Sequence, residues 1–191
     1  MPKILRNPLA SELIYLLKEG PTGRRTLTDR VGASESTVRT VLEHLQSEGI
    51  VEMDRRGTSL SEMGRLAFGP LLESVKQVKS VKLPELTMGE ICRAGLLTKV
   101  EDLSERAWSF RDLAIREGAR GAILLEITEK IKFLHSDDLL EEINPEADKE
   151  LKEAFPRWRE ASLIVIVSGD SSEEVEYGLW RIIGEIVLKK S

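Results

Sequence analysis

One cysteine, two histidines, and only two asparagines and two glutamines stand among 191 residues, and each shortage excludes something. A lone Cys92 rules out an internal disulfide and points to a reducing, cytoplasmic setting. A zinc site needs three or four ligands rich in Cys and His at suitable spacing, and no such set is present. No apolar run approaches the ~20 residues that span a bilayer, and no signal peptide is visible. No phosphate-binding loop, dinucleotide glycine motif or nucleophile-plus-base arrangement occurs. These absences predict a chain without metal, cofactor, membrane or catalytic machinery. The scarcity of amides (Asn7, Asn144, Gln46, Gln77) beside 32% charged residues predicts a heat-adapted source.

Positive charge is also short. The net charge is −5, which excludes a protein that coats DNA through bulk attraction. The distribution is uneven, however. Residues 1–70 hold ten of the 28 Lys+Arg and nine of the 33 Asp+Glu, leaving 18 against 24 for the rest. A near-neutral N-terminal third can still meet phosphates if its arginines share one face and a dimer doubles them.

The most informative stretch is Arg24 to Glu52, RRTLTDRVGASESTVRTVLEHLQSEGIVE. It reads as a short helix, a turn at Gly32-Ala33-Ser34 and a second helix over Glu35–Glu48. Gly32 is suited to the left-handed conformation that ends a helix, and Ser34 to an N-cap. Val38, Val41, Leu42 and Leu45 recur at helical spacing and predict a buried face. Ser36, Thr37, Arg39, Thr40, Glu43 and Gln46 fall outside it. A small, hydroxylated and basic N-terminal half suits insertion into a DNA major groove. Ile50 to Asp54, the turn Arg55-Arg56-Gly57, and Thr58 to Leu60 predict a hairpin with two arginines at its tip. Ahead of this block, Pro8 to Lys18 is a helix that buries Leu9, Leu13, Leu16 and Leu17.

From about Asn7 to Phe68 the chain resembles the winged helix-turn-helix domain of bacterial and archaeal transcription regulators. The resemblance rests on TLTDRVGASESTVRTVLEHLQSEGIVE and on the wing exit TSLSEMGRLAF, and it covers roughly a third of the chain. It implies double-stranded DNA as the partner. Arg24 and Arg25 would hold the backbone, and Ser36, Thr37, Arg39 and Thr40 would offer base-edge or phosphate contacts. Arg55 and Arg56 would reach flanking phosphates or the minor groove. Winged helices also serve as protein-docking modules, so an adapter is the alternative.

Beyond the wing, Ser61 with Glu62 starts a helix that Gly69-Pro70 should break or kink. Leu71, Leu72, Val75 and Val78 continue at helical spacing, so residues 71–78 are expected as a connector helix. It either packs against a second copy or serves as an internal strut. The remainder, 79–191, alternates strand and helix signals. Strands are expected over Val78–Leu83, Glu90–Val100, Gly121–Thr128, Lys130–Leu134 and Ala161–Val167, the last apolar enough for a central position. Helices are expected from an Asp102/Glu105 capping box to Glu117, over Glu146–Glu160 with an interruption at Pro156, and over Ser172–Leu188 behind Ser171/Glu174. The expected fold is α/β (α+β): an N-terminal winged helix-turn-helix over 1–70, then a small C-terminal α/β sandwich for effector sensing or dimerisation.

Ser109 to Leu125, SFRDLAIREGARGAILL, resembles part of the C-terminal domain of an uncharacterised archaeal group of winged-helix proteins, through Arg111, Asp112, Ala114, Ile115, Gly118, Ala119, Gly121 and Ala122. No chemistry comes with that resemblance. Arg111 and Asp112 are candidate effector contacts, a guanidinium for an acid group and a carboxylate to orient it; as ordinary exposed charges they would bind nothing. If they line a deep cleft, an enzyme with an accessory winged helix becomes the second alternative. The turn Ser168 to Ser172 follows a strand and precedes a helix, where anions can bind, but Asp170, Glu173 and Glu174 fit helix capping better. His44, His135 and Cys92 read as structural. The sequence therefore predicts a cytoplasmic, homodimeric, DNA-binding regulator, not an enzyme, with a possible small-molecule effector.

Overall fold

A computed structural model of the chain describes residues 7–100, 103, 107–136 and 138–188. The expected Asp102/Glu105 capping box lies outside these residues. Helix α1 (Pro8–Leu16) starts where Asn7 Oδ1 accepts from the N–H groups of Leu9 and Ala10, with Pro8 in the first turn. A 3-10 turn, Leu17–Glu19, closes at Gly20. Helices α2 (Arg24–Val31) and α3 (Glu35–Ser47) follow, then strands β1 (Val51–Asp54) and β2 (Gly57–Leu60), which pair antiparallel. Helix α4 (Glu62–Ala67) is capped by Ser61, whose hydroxyl oxygen accepts from the Gly64 N–H. The break expected at Gly69-Pro70 falls at Phe68 (φ −106°, ψ 11°). Pro70 sits in the first turn of α5 (Gly69–Ser74), where its missing N–H costs no hydrogen bond.

The connector helix expected over 71–78 is corrected by the structure. Helix α5 ends at Ser74, and Val75 opens strand β3 (Val75–Ser80). The helical spacing of Val75 and Val78 is coincidental: both are β-branched, and pairing with β4 (Ile91–Leu97) satisfies their backbone. The neutral pattern of residues 90–100 resolves as that strand. After it come α6 (Ala107–Arg116), β5 (Gly121–Ile127), β6 (Ile131–Phe133), α7 (Leu140–Ile143), α8 (Pro145–Ala154), a 3-10 turn at Trp158–Glu160, β7 (Leu163–Gly169) and α9 (Ser172–Leu188). The short α7 had no periodic signal, and the helix expected to reach Glu160 stops at Ala154, ahead of Pro156.

Five strands form one sheet in the order β3-β4-β7-β5-β6, with every neighbouring pair antiparallel. The central strand β7 is buried throughout and alternates between two cores. Leu163, Val165 and Val167 face α6 and α9; Ile164 and Ile166 face a second layer containing Leu140, Leu151, Phe155 and Trp158. The first core does not stop at the sheet. It runs through α9 into Leu9, Leu13, Leu42 and Leu45 of the N-terminal helices. Helices α1 and α5 also pack on α9, in addition to the sheet and α6. This explains why α9 buries Glu176 and Trp180 in addition to its expected apolar stripe of Val175, Leu179, Ile182, Ile183, Ile186 and Val187.

Candidate nucleic-acid interface

Three features set the geometry of α2, α3 and the wing. Gly32 takes the left-handed conformation (φ 69°) that ends α2, its N–H donating to Thr28 O. Ser34 then caps α3, its Oγ accepting from the Thr37 N–H at 3.1 Å. Val38, Val41, Leu42 and Leu45 are buried as the spacing predicted, which turns Ser36, Thr37, Arg39, Thr40 and Glu43 to the surface. The third feature was invisible in the sequence. Thr22, in the loop before α2, exchanges backbone hydrogen bonds with Thr58 of β2, at 2.8 and 2.9 Å. The wing is thereby tied to the N-terminus of α2. Gly57 makes this approach possible: at φ 126°, an added Cβ would lie 2.6 Å from Thr22 O.

The structure brings Arg24 and Arg39 together. Both line a hollow of about 250 Å3, with Leu42 and Glu43 of α3 and Met53, Asp54, Gly57 and Thr58 of the wing. Arg55 and Arg56 form the two-residue wing turn, and Arg25 is exposed in the first turn of α2; none of the three lines that hollow. Their charges are not equally available. Arg24 pairs with Glu35 at 3.3 Å and Arg39 with Glu43 at 3.8 Å. Arg56 is held by Asp54, with Nη2 at 2.9 Å and its backbone N–H at 2.7 Å, and this grip lowers the Asp54 pKa. Arg25 and Arg55 make no ion pair among the described residues. Exposed pairs contribute little, so a phosphate can displace the carboxylates. All three candidate hydroxyls are engaged locally: Ser34 Oγ lies 2.8 Å from both Ser36 Oγ and Thr37 Oγ1, and Thr40 donates back to Ser36 O. The three competing carboxylates were missed by sequence reasoning, although Arg39/Glu43 at helical spacing and Asp54-Arg55-Arg56 were readable signals.

The other candidate residues separate. Arg111 and Asp112 are both exposed on α6. Arg111 borders a hollow of about 100 Å3 with Trp108, Phe133 and His135, whereas Asp112 does not line it. That volume is below the range of small-molecule sites. His135 stacks near Trp108 and Phe133, with ring centroids 5.5 and 6.0 Å away. Cys92 is buried on β4, and burial pushes its thiol up to about 11. In the 168–172 turn, Asp170 pairs with Arg120 at 2.6 Å and Ser171 O accepts from the Val175 N–H. Among the described residues no group of three or more His, Cys, Asp or Glu is placed to hold a metal, and no helix is long and apolar enough to cross a membrane.

Helices α2 and α3, the latter capped by Ser34, and the tethered two-stranded wing form an N-terminal winged-helix DNA-binding domain. In agreement, residues 12–75 match the family described as the CggR N-terminal DNA binding domain. Residues 88–186, just over half of the chain, match a domain of unknown function, DUF4443, and the protein belongs to that family. Over 78 residues it is 31% identical to the central glycolytic genes regulator of Bacillus subtilis (strain 168) and 30% identical to that of Priestia megaterium (strain DSM 319 / IMG 1521). Each alignment covers 41% of this chain but only 23% of the relative. A hypothetical protein from Pyrococcus horikoshii OT3 has the same fold along the whole chain, with a TM-score of 0.70, 21% identity, and coverage of 100% of this chain and 95% of the other.

Proposed function

We propose that this protein is a sequence-specific, DNA-binding transcriptional regulator whose C-terminal part, over residues 79–191, senses a small-molecule effector, holds two copies together, or both. The observation that carries the reading is the joint placement of Arg24, Arg39 and the wing base around one hollow beside the exposed N-terminal half of α3. In this reading α3 enters the major groove. Arg39, Ser36, Thr37 and Thr40 meet base edges or phosphates, Arg24 and Arg25 grip the backbone, and Arg55 and Arg56 reach outward from the wing. The match of residues 12–75 to a DNA-binding domain family and the likeness to named regulators support it. Its setting is cytoplasmic, and the shortage of amides suits a heat-adapted archaeon. A homodimer would double a modest set of arginines.

A protein-docking adapter is the second reading, favoured by Glu35, Glu43 and Asp54 on the same face as the arginines. Selection of sites from random duplex DNA at two salt concentrations separates the two. Enrichment of an inverted repeat with half-sites about one helical turn apart supports the regulator. Weak retention without enrichment supports the adapter.

A further inference from the structure

Charges that leave water need partners, and one place in this molecule is a partner short. Glu12 of α1 and Glu176 of α9 are buried at 4% and 7% exposure, and they share a single guanidinium, that of Arg93 on β4. Arg93 Nε lies 2.5 Å from Glu176 Oε1, and its Nη1 donates to Ser80 Oγ at 3.0 Å. Glu12 makes no ion pair among the described residues, and its Oε2 has no hydrogen-bond partner. Trp180 Nε1 is also buried without one, although the indole is close enough to lower the pKa of both carboxyls. With all three groups ionised the cluster carries an uncompensated negative charge, a costly arrangement in a buried setting.

The cluster is not sealed. Glu12, Trp180 and Arg93 border a cleft of about 530 Å3 between the winged helix and the C-terminal sheet, well within the size of small-molecule sites. Tyr15 borders it too, its ring centroid 5.2 Å from that of Trp180. The mouth has the opposite sign. Lys18 and Arg30 line it from the N-terminal helices, and Lys76 lines it from a register shift in β3, where Val75 pairs with Leu97 and Gln77 with Leu96. Glu19, 4.0 Å from Arg30, opposes them in the lining, Glu73 acts on Lys76, and Lys18 Nζ donates to Leu72 O.

A ligand for this cleft must bring a cation to the carboxyl end and an anion to the lysine end. A polyamine fails at the mouth, and a simple phosphate or dicarboxylate fails at Glu12. We propose that the cleft binds a small zwitterion of the amino-acid class. Its ammonium sits on Glu12 beside the rings of Tyr15 and Trp180, and its acid group faces Lys18 and Lys76. Burial raises the Glu12 pKa, opposed by Arg93, and an ammonium placed on Glu12 favours its carboxylate form. The cleft joins α1 of the winged helix to β3, β4 and α9. Occupancy is therefore the effector signal, a role that rests on the DNA-binding reading above.

Calorimetric titration of the full chain with each standard amino acid, without DNA, tests the site directly. The expected result is saturable binding of at least one, with the matched carboxylic acid lacking the amine and the matched amine lacking the acid each weaker by about tenfold or more. Glu12→Gln, which keeps the shape, should weaken binding by about tenfold or more, and so should the exposed Lys76→Glu, which leaves the core untouched. Absence of binding by every amino acid at millimolar concentration overturns the proposal. Equal binding of the deaminated acid, or unchanged binding by both variants, overturns it as well. Duplex retention with and without the bound amino acid is measured separately. Binding to the cleft by a protein that retains no DNA would support the site and sink the regulator reading.

Discussion

Thr22 and Thr58 exchange both backbone hydrogen bonds, at 2.8 and 2.9 Å, and so fix the wing against the start of α2. Thirty-six positions separate them in the chain, yet this bridge decides where Arg24, Arg25, Arg55 and Arg56 stand relative to α3.

Gly57→Ala should break that relationship. The new Cβ would meet the Thr22 carbonyl at 2.6 Å in a backbone conformation that disfavours side chains. We expect a loss of ~1–3 kcal/mol in urea unfolding. A larger proportional loss in DNA retention should accompany it, because the wing moves. A variant that binds DNA as the parent does would show that the wing position is irrelevant.

Arginine replacements should divide by partner. Arg25→Ala and Arg55→Ala, free of ion pairs, should each lower the salt dependence of DNA binding by about one ion and weaken all sequences alike. Arg39→Ala should relax preference at its contacted base by ~1–3 kcal/mol. Fluorescence anisotropy across a salt series checks both, with melting curves unchanged. Full affinity in all three would rule out the docking geometry.

Asp54→Asn tests the competing carboxylates from the other side. It releases Arg56 from its wing-turn grip and removes a charge that repels phosphate. DNA affinity should rise by about two- to fivefold at low salt, with less effect at high salt. A fall in affinity would mean that the Asp54–Arg56 turn is itself what the DNA requires.

Stability should vary with pH through the buried carboxyls. Glu12 and Glu176 have pKa values raised above the ordinary 4.5 by burial, opposed by Arg93 and Trp180. The folded state therefore holds more protons than the unfolded state between that ordinary range and the raised values. Stability falls as pH rises through this window and recovers on acidification. Asp54, Glu73 and Glu141 have lowered pKa values and act oppositely, losing their stabilisation only at more acidic pH. Urea midpoints should be higher at pH 5.5 than at pH 8, and Glu12→Gln should flatten the slope. Identical slopes in parent and variant would show that Glu12 is ionised throughout.

Cys92 offers an independent probe of the core. Its buried thiol, with a pKa of about 11, should resist alkylation at neutral pH in the native state. Labelling should follow global unfolding in denaturant; rapid labelling without denaturant would reveal local opening of β4.

Much of the fold was legible because its signals are local. Gly32 and Ser34 mark a helix end and a helix start whatever surrounds them, and the apolar spacing of α3 specifies its buried face. Strand β7 was readable from an apolar run too short for most helices. Residues 75–78 were not, since two valines three apart satisfy a helix and an edge strand equally, and only the partner strand β4 decides between them.

The sequence alone determined the winged helix, the arginines available to it, and the absence of cysteine- and histidine-rich ligand sets, because composition and short-range spacing carry that information. Tertiary structure decided how those arginines are shared with Glu35, Glu43 and Asp54, and it left Arg111 and Asp112 exposed, with Arg111 beside a hollow of only about 100 Å3. It also placed Glu12, Arg93 and Trp180 on one cleft, with Glu176 paired to Arg93 behind them. Those four come from three elements spread over most of the chain, and only the packing of α1 on α9 turns their separate polar atoms into a shared, charge-deficient site.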